Sequence, residues 1–331
     1  MKREHIITIL STLAILTLMV GISELTGRRE LIFPEAAALA LGVLIPARIS
    51  WHADGKRLVI LYTLSALAGW GIVRFVRSEL WLALSFAFLL GQFILLFSDT
   101  SSAAVISIIM LPVLLGLDSP LYPLSALCSS VLIVMLRAFL EKRRIKERER
   151  RVSMEKPKIW ESYDILIRLS AVALLSFLAE KAGWLYLLSP PLLAVFSEKR
   201  RYESEYRKTP VRTVLSFVSC ALIGVLFRGL LSVLLPLPDV VAAIPAVFGM
   251  LAFLLLTSPV LPSAGSMTLL AFMIPSDELI IYPFQVLAGG ILLFLWNRFF
   301  FKETPDRLES ENPNPFKKRT PGTSEGSGDM K

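Results

Sequence analysis

The chain has 331 residues, 54% of them hydrophobic and 19% charged, with a net charge of +8 and a mean hydropathy of +0.63. So little polar surface does not suit a soluble domain of this length, and the composition points to a membrane protein. With two histidines and two cysteines, a His-based metal centre, a buried His base and a disulfide framework are all excluded as leading ideas.

Apolar runs of about 20 helical residues, or shorter runs that a neighbour completes, can cross the hydrocarbon core of a bilayer. In chain order they fall at 5–22, 31–47, 58–76, 80–97, 102–117 and 120–140, then at 165–182, 184–197, 212–235, 239–257, 262–275 and 280–300. The first run follows Met1-Lys2-Arg3 and invites a signal-peptide reading. No small-x-small site follows it, since the chain continues Gly21-Ile22-Ser23-Glu24-Leu25, and it has a counterpart at 165–182, so a retained helix is expected.

The chain also repeats itself. Glu24, Gly27 and Pro34 match Glu180, Gly183 and Pro190 at an offset of 156, and Arg57, Ala66 and Gly69 match Arg212, Ala221 and Gly224 at 155. Tyr122-Pro123 and Lys142 match Tyr282-Pro283 and Lys302 at 160. Agreement at so many punctuating residues predicts a duplicated module. The organisation expected is a first membrane repeat at 1–142, a basic cytoplasmic linker at 143–163, a second repeat at 164–302 and a Pro/Gly/Ser-rich disordered tail at 303–331.

The fold class that follows is an all-α polytopic membrane protein with about twelve transmembrane segments in two parallel six-helix repeats. If both termini and the linker face the cytoplasm, 29 of the 35 Lys and Arg residues lie on or near the inner side. That bias predicts a multi-pass protein of the cell membrane with both termini cytoplasmic. The run from Lys142 to Arg151 has interleaved acids and suits nonspecific contact with lipid headgroups rather than nucleic acid.

No Walker-type phosphate loop is present, and no clustered Ser/Lys, His or Asp pairs at helix depth suggest an enzyme. The chemistry left is that of helix breaks. Segments 2 and 5 of each repeat carry them: Phe33-Pro34-Glu35-Ala36, Ser189-Pro190-Pro191, Ser98-Asp99-Thr100-Ser101-Ser102-Ala103 and Pro262-Ser263-Ala264-Gly265-Ser266. Proline suits a first helical turn and Ser or Thr caps its free amides. The stretch from Pro34 to Pro46 makes only about 18 Å of helix, short of a hydrocarbon core of about 30 Å. Such a helix either begins within the membrane or is completed by irregular backbone buried against other helices; if segments 2 and 5 both begin near the midplane, their facing N-termini would favour a small anion.

The stretch Pro262-Ser263-Ala264-Gly265-Ser266-Met267-Thr268-Leu269-Leu270 resembles the His-Pro-Pro-Ala-Gly-Ala-Thr-Ala-Leu-Leu signature of the HPP family of integral membrane proteins. Leu261 stands where the signature His falls and Ser263 replaces the second Pro. The resemblance would make the chain a tandem fusion of two HPP-like modules and implies transport of a nitrite-like anion, as proposed for plastid and cyanobacterial members.

The expected substrate-binding residues are Pro34, Glu35, Ala36, Ser101, Ser102, Ser189, Pro190, Pro262, Ser263, Ala264, Gly265 and Ser266, with Glu35 and Asp99 as proton-coupling groups. The second repeat, with its Pro262-Ser263-Ala264-Gly265, is the favoured site. The leading function is a secondary transporter or channel for a small inorganic anion, with the bilayer and the anion as partners, no cofactor, no metal, and a homo-oligomer left open. An exporter of aromatic or amphipathic organic acids and a non-transporting membrane scaffold are the alternatives.

Overall fold

The computed structural model describes residues 3–46, 51, 54–98, 100, 102–143, 146, 160–197, 209–257 and 261–300. Asp99, Ser101, residues 147–159 of the linker and the tail lie outside the described residues.

Among the described residues the regular structure is helical, with no strand. The first half holds α1 (Arg3–Thr26), α2 (Glu35–Val43), α3 (Gly55–Phe75), α4 (Leu80–Phe97), α5 (Ala104–Leu115) and α6 (Leu121–Lys142). The second half holds α7 (Trp160–Ala182), α8 (Pro190–Phe196), α9 (Pro210–Phe227), α10 (Asp239–Leu256), α11 (Pro262–Leu270) and α12 (Tyr282–Phe300). Arg228–Leu234 prolongs α9 as a π-helical turn. Among the described residues seven helices are long and apolar enough to cross a membrane: α1, α3, α4, α6, α9 with its π-turn, α10 and α12. The protein is thus a helical, polytopic membrane protein by length and composition.

The two halves use the same local devices. Gly27 and Gly183 adopt φ of 65° and 70°, the left-handed conformation that a side chain resists. Each ends the preceding long helix with a six-to-one bond, from the Arg28 amide to the Ser23 carbonyl at 3.1 Å and from the Trp184 amide to the Ala179 carbonyl at 2.9 Å. A single 3-10 turn follows in both, Arg29–Leu31 and Leu185–Leu188, and then a short helix.

Packing between the halves is reciprocal. α1 lies against α10, and α7 lies against α4; α2 packs on α11, and α8 on α5. The carboxylate of Glu24, at the end of α1, accepts the Asp239 and Val240 amides at 2.8 and 3.0 Å, capping α10. Glu180, at the end of α7, accepts the Trp81 amide at 2.8 Å at the start of α4. A carboxylate there satisfies amides that have no intrahelical partner and complements the helix dipole.

The core is formed by the short helices. Every residue of α2 and α8 is buried, as are eleven of the twelve in α5 and Ala264–Leu270 in α11. The long helices surround them and turn Leu10, Leu64, Phe86, Phe139, Leu226 and Phe248 outward, the apolar exterior that lipid contact requires. Small residues let the inner helices approach. A Cβ on Gly69 would fall 2.5 Å from the Ile109 carbonyl oxygen, and one on Gly224 would fall 2.6 Å from that of Thr268, whereas Gly71 faces open space.

Gly69→Ala is therefore expected to push α3 off α5 and cost about 1–3 kcal/mol, the usual range for overpacking. Gly71→Ala, two residues away, should be neutral or slightly stabilising. Thermal unfolding of both variants in one detergent checks the pair.

Candidate functional site

The start of α2 carries the most unusual polar group in the interior. Pro34 presets the turn and Glu35 is the first helical residue. Its side chain is 1% exposed, an expensive position for a carboxyl. The Ser107 hydroxyl, from α5, donates to Oε1. Oε2 has no hydrogen-bond partner.

Further hydroxyls border this carboxyl. Tyr62 of α3 and Ser102, just ahead of α5, are hydrogen-bonded through their hydroxyls at 3.0 Å. The Ser102 amide donates to Thr100 Oγ1 at 3.2 Å, and Thr100 Oγ1 donates to the Trp51 carbonyl at 3.0 Å. Phe33 meets the rings of Tyr62 and Tyr122 edge-on, at 6.4 and 5.9 Å. The Tyr122 hydroxyl donates to the Ile108 carbonyl at 3.0 Å. Tyr62 and Tyr122 lie close enough to Glu35 to feel its charge.

The second half builds its own version with fewer polar groups. Tyr282 donates to the Met267 carbonyl at 3.2 Å, as Tyr122 does to Ile108. Thr268 Oγ1 donates to the Cys220 carbonyl at 2.8 Å. Ser189 stands at the start of α8 with its hydroxyl donating back to the Tyr186 carbonyl at 2.7 Å. Ser266 is 1% exposed and its hydroxyl has no partner.

Among the expected site residues, Pro34, Glu35 and Ala36 open α2, and Ser102 adjoins them through Tyr62 and Phe33. Gly265 lies against Leu41 and Ala37 of α2, where a Cβ would clash with Leu41, so the first turn of α11 borders α2 along its side. Pro262 and Ser263 are half-buried, and Ala264 is buried. Ser189 and Pro190 belong to α8, which packs on α5 and α11. The four short helices therefore adjoin, and within the first half Glu35 and Ser107 join the starts of α2 and α5.

Sequence reasoning passed over Ser107, Tyr62 and the arginines that close the short helices. Arg137 of α6 donates to the Val43 and Pro46 carbonyls at 3.1 and 3.2 Å, just past α2. Arg168 of α7 donates to the Ser197 carbonyl at 2.6 Å, at the end of α8. Arg228 donates to the Ala271 and Ile274 carbonyls past α11 and lies 3.6 Å from Asp239. The signal available was an arginine inside each of the apolar runs 120–140, 165–182 and 212–235. Beside α5, Trp70 and Arg74 engage the Asp118 carbonyl and carboxylate instead.

A cleft of about 270 Å³ opens between the halves, lined by Glu24, Arg29, Asp239, Ile32 and Phe272 among others. The Glu24 carboxylate faces the amides of α10 and Asp239 lies 3.6 Å from Arg228, and Arg29 adds a basic side chain to the lining. Ile32 stands three residues ahead of Glu35, with Phe33 buried between them. No group of three or more metal-ligating side chains occurs among the described residues.

No known family model, curated protein or solved structure matches the chain.

Arg228→Met should strand the Ala271 and Ile274 carbonyls in the interior and cost about 1–3 kcal/mol. Arg77→Met, at an exposed turn, should leave the unfolding midpoint unchanged. Thermal unfolding monitored by intrinsic fluorescence distinguishes the two.

Proposed function

We propose that this protein is a secondary transporter of a small inorganic anion, nitrite-like in size and charge, coupled to a proton carried by Glu35. The two halves would then be parallel six-helix copies of an HPP-like module, twelve segments in the cell membrane with both termini cytoplasmic. The observation that carries the proposal is Glu35: a buried carboxyl at the start of a helix about half a bilayer long, with one oxygen on Ser107 and the other unpaired.

The physical logic is electrostatic. A helix start in a low-dielectric interior favours one negative charge, and the Glu35 carboxylate supplies it in tethered form. An incoming anion brings a second charge to the same place, where unscreened repulsion is severe. Taking up a proton neutralises Glu35 and frees the helix start and the hydroxyls of Ser107, Ser102 and Tyr62 for the anion. Anion and proton would therefore occupy the site together and move in the same direction. Two pseudo-symmetric halves around a midplane site can supply the alternating access.

The purified full-length chain, reconstituted in vesicles holding a pH-sensitive dye, tests the proposal. An inward gradient of nitrite, nitrate, formate or bicarbonate should acidify the lumen for at least one anion, and Glu35→Gln should abolish that uptake. Uptake that persists in Glu35→Gln would remove Glu35 from coupling. Uptake driven only by benzoate would move the assignment to the organic-acid exporter.

A further inference from the structure

The two halves superpose in their contacts closely enough to match residues one by one. Gly69 approaches Ile109 and Gly224 approaches Thr268; Tyr122 donates to Ile108 and Tyr282 to Met267. Both pairs set α11 against α5 at an offset of 159, which matches Ser107 with Ser266 and Ser102 with Leu261. The offset of 155 for α9 against α3 matches Tyr62 with Phe217, and the offset of 156 across the 3-10 turn matches Glu35 with Pro191.

Three of the polar groups around the first helix start are thus absent from the second. Pro191, Phe217 and Leu261 replace Glu35, Tyr62 and Ser102; Pro191 and Phe217 are buried. Tyr282, the counterpart of Tyr122, and the serine on α11 remain, and the serine differs in its bonding. Ser107 spends its hydroxyl on Glu35, while the hydroxyl of Ser266, 1% exposed, has no partner. A buried hydroxyl without a partner carries a desolvation cost. On the register above, the residue that answers to the carboxyl partner of Ser107 is Pro191, which can offer Ser266 no side-chain acceptor.

We propose that the chain holds a single ion-exchange site, in its first copy, and that the second copy keeps the frame of that site with its chemistry removed. One proton and one anion would then move per chain per cycle, and the second copy would serve as the wall against which the first works. The inference rests on Glu35 being the exchanging group, and it reverses the expectation that the Pro262-Ser263-Ala264-Gly265 copy is the active one.

The direct test counts reactive carboxyls. Dicyclohexylcarbodiimide reaches protonated carboxyls through the apolar phase; the carboxyl O–H adds across one C=N bond, and the O-acylisourea rearranges to a stable N-acylurea. Intact-mass and peptide analysis of the full-length chain should give one adduct, on Glu35, and none in Glu35→Gln. Pro191→Glu should give a second adduct, at position 191, because Ser266 waits there for a carboxyl. An adduct in the second half of the wild-type chain, or none on Glu35, would overturn the proposal.

A second arm does not depend on the proline variant folding. In vesicles, Ser107→Ala should slow anion-driven proton uptake about tenfold or more, the scale of a lost hydrogen bond to a charged group, and Ser266→Ala should leave it unchanged. Equal slowing in both would also overturn the single-site proposal. A single adduct on Glu35 without anion-driven uptake would instead remove the transport function and leave the site count standing.

Discussion

Unpaired backbone polar groups cannot be left inside an apolar interior, and the rest of this structure answers to that constraint. Four helices of seven to twelve residues begin and end among the long ones; their first amides turn back on carbonyls just ahead of them, and their carbonyl ends need partners from elsewhere. Arginines from α6, from α7 and from the π-turn after α9 take the carbonyl ends of α2, α8 and α11. The same need explains why charged side chains occur at such depth in a chain otherwise built from Leu, Ala and Phe.

The constraint also accounts for the way the halves interlock. Each half leaves the start of its fourth helix, α4 or α10, for the other half's carboxylate, Glu180 or Glu24. Each short second helix finds its main neighbour in the fifth helix of the opposite half. Neither half completes its own backbone bonding or its own core, which ties the two together without an intervening domain. Side chains are satisfied less completely, and among the buried side-chain atoms without a partner Glu35 supplies the carboxyl oxygen.

The helices themselves were legible in the sequence because apolar runs, prolines and left-handed glycines are local signals. The run at 80–97 coincides with α4, and 239–257 differs from α10 by one residue. The matching of Glu24 with Glu180 and Gly27 with Gly183 was visible too, although the reason for it, a helix stop followed by a cap on the opposite half, was not. Glu35 stood out as a charge beside a proline in an apolar run. Ser107 and Tyr62 did not, because Ser and Tyr are ordinary in membrane helices and only the packing of α3 and α5 turns them toward one carboxyl. Register between the halves was similarly hidden: sequence matching suggests an offset of 160 near α5, and only the contacts of Gly69, Gly224, Tyr122 and Tyr282 reveal the local slip that pairs Ser107 with Ser266.

The transport proposed above would need a site that is sealed from water yet able to exchange its contents, and short helices whose carbonyl ends are held by arginines would provide such a place. Their ends depend on a handful of hydrogen bonds that a rocking motion can break and remake, while the long helices keep the exterior against lipid. Whether the short helices do form a sealed inner core is best asked by hydrogen–deuterium exchange of the full-length protein in lipid nanodiscs. Slow exchange throughout Glu35–Val43, Ala104–Leu115 and Pro262–Leu270, as slow as in the middles of α3 and α9, is the predicted result. Exchange in those three segments as fast as in the turn at Val76–Glu79 would contradict a core built from capped short helices.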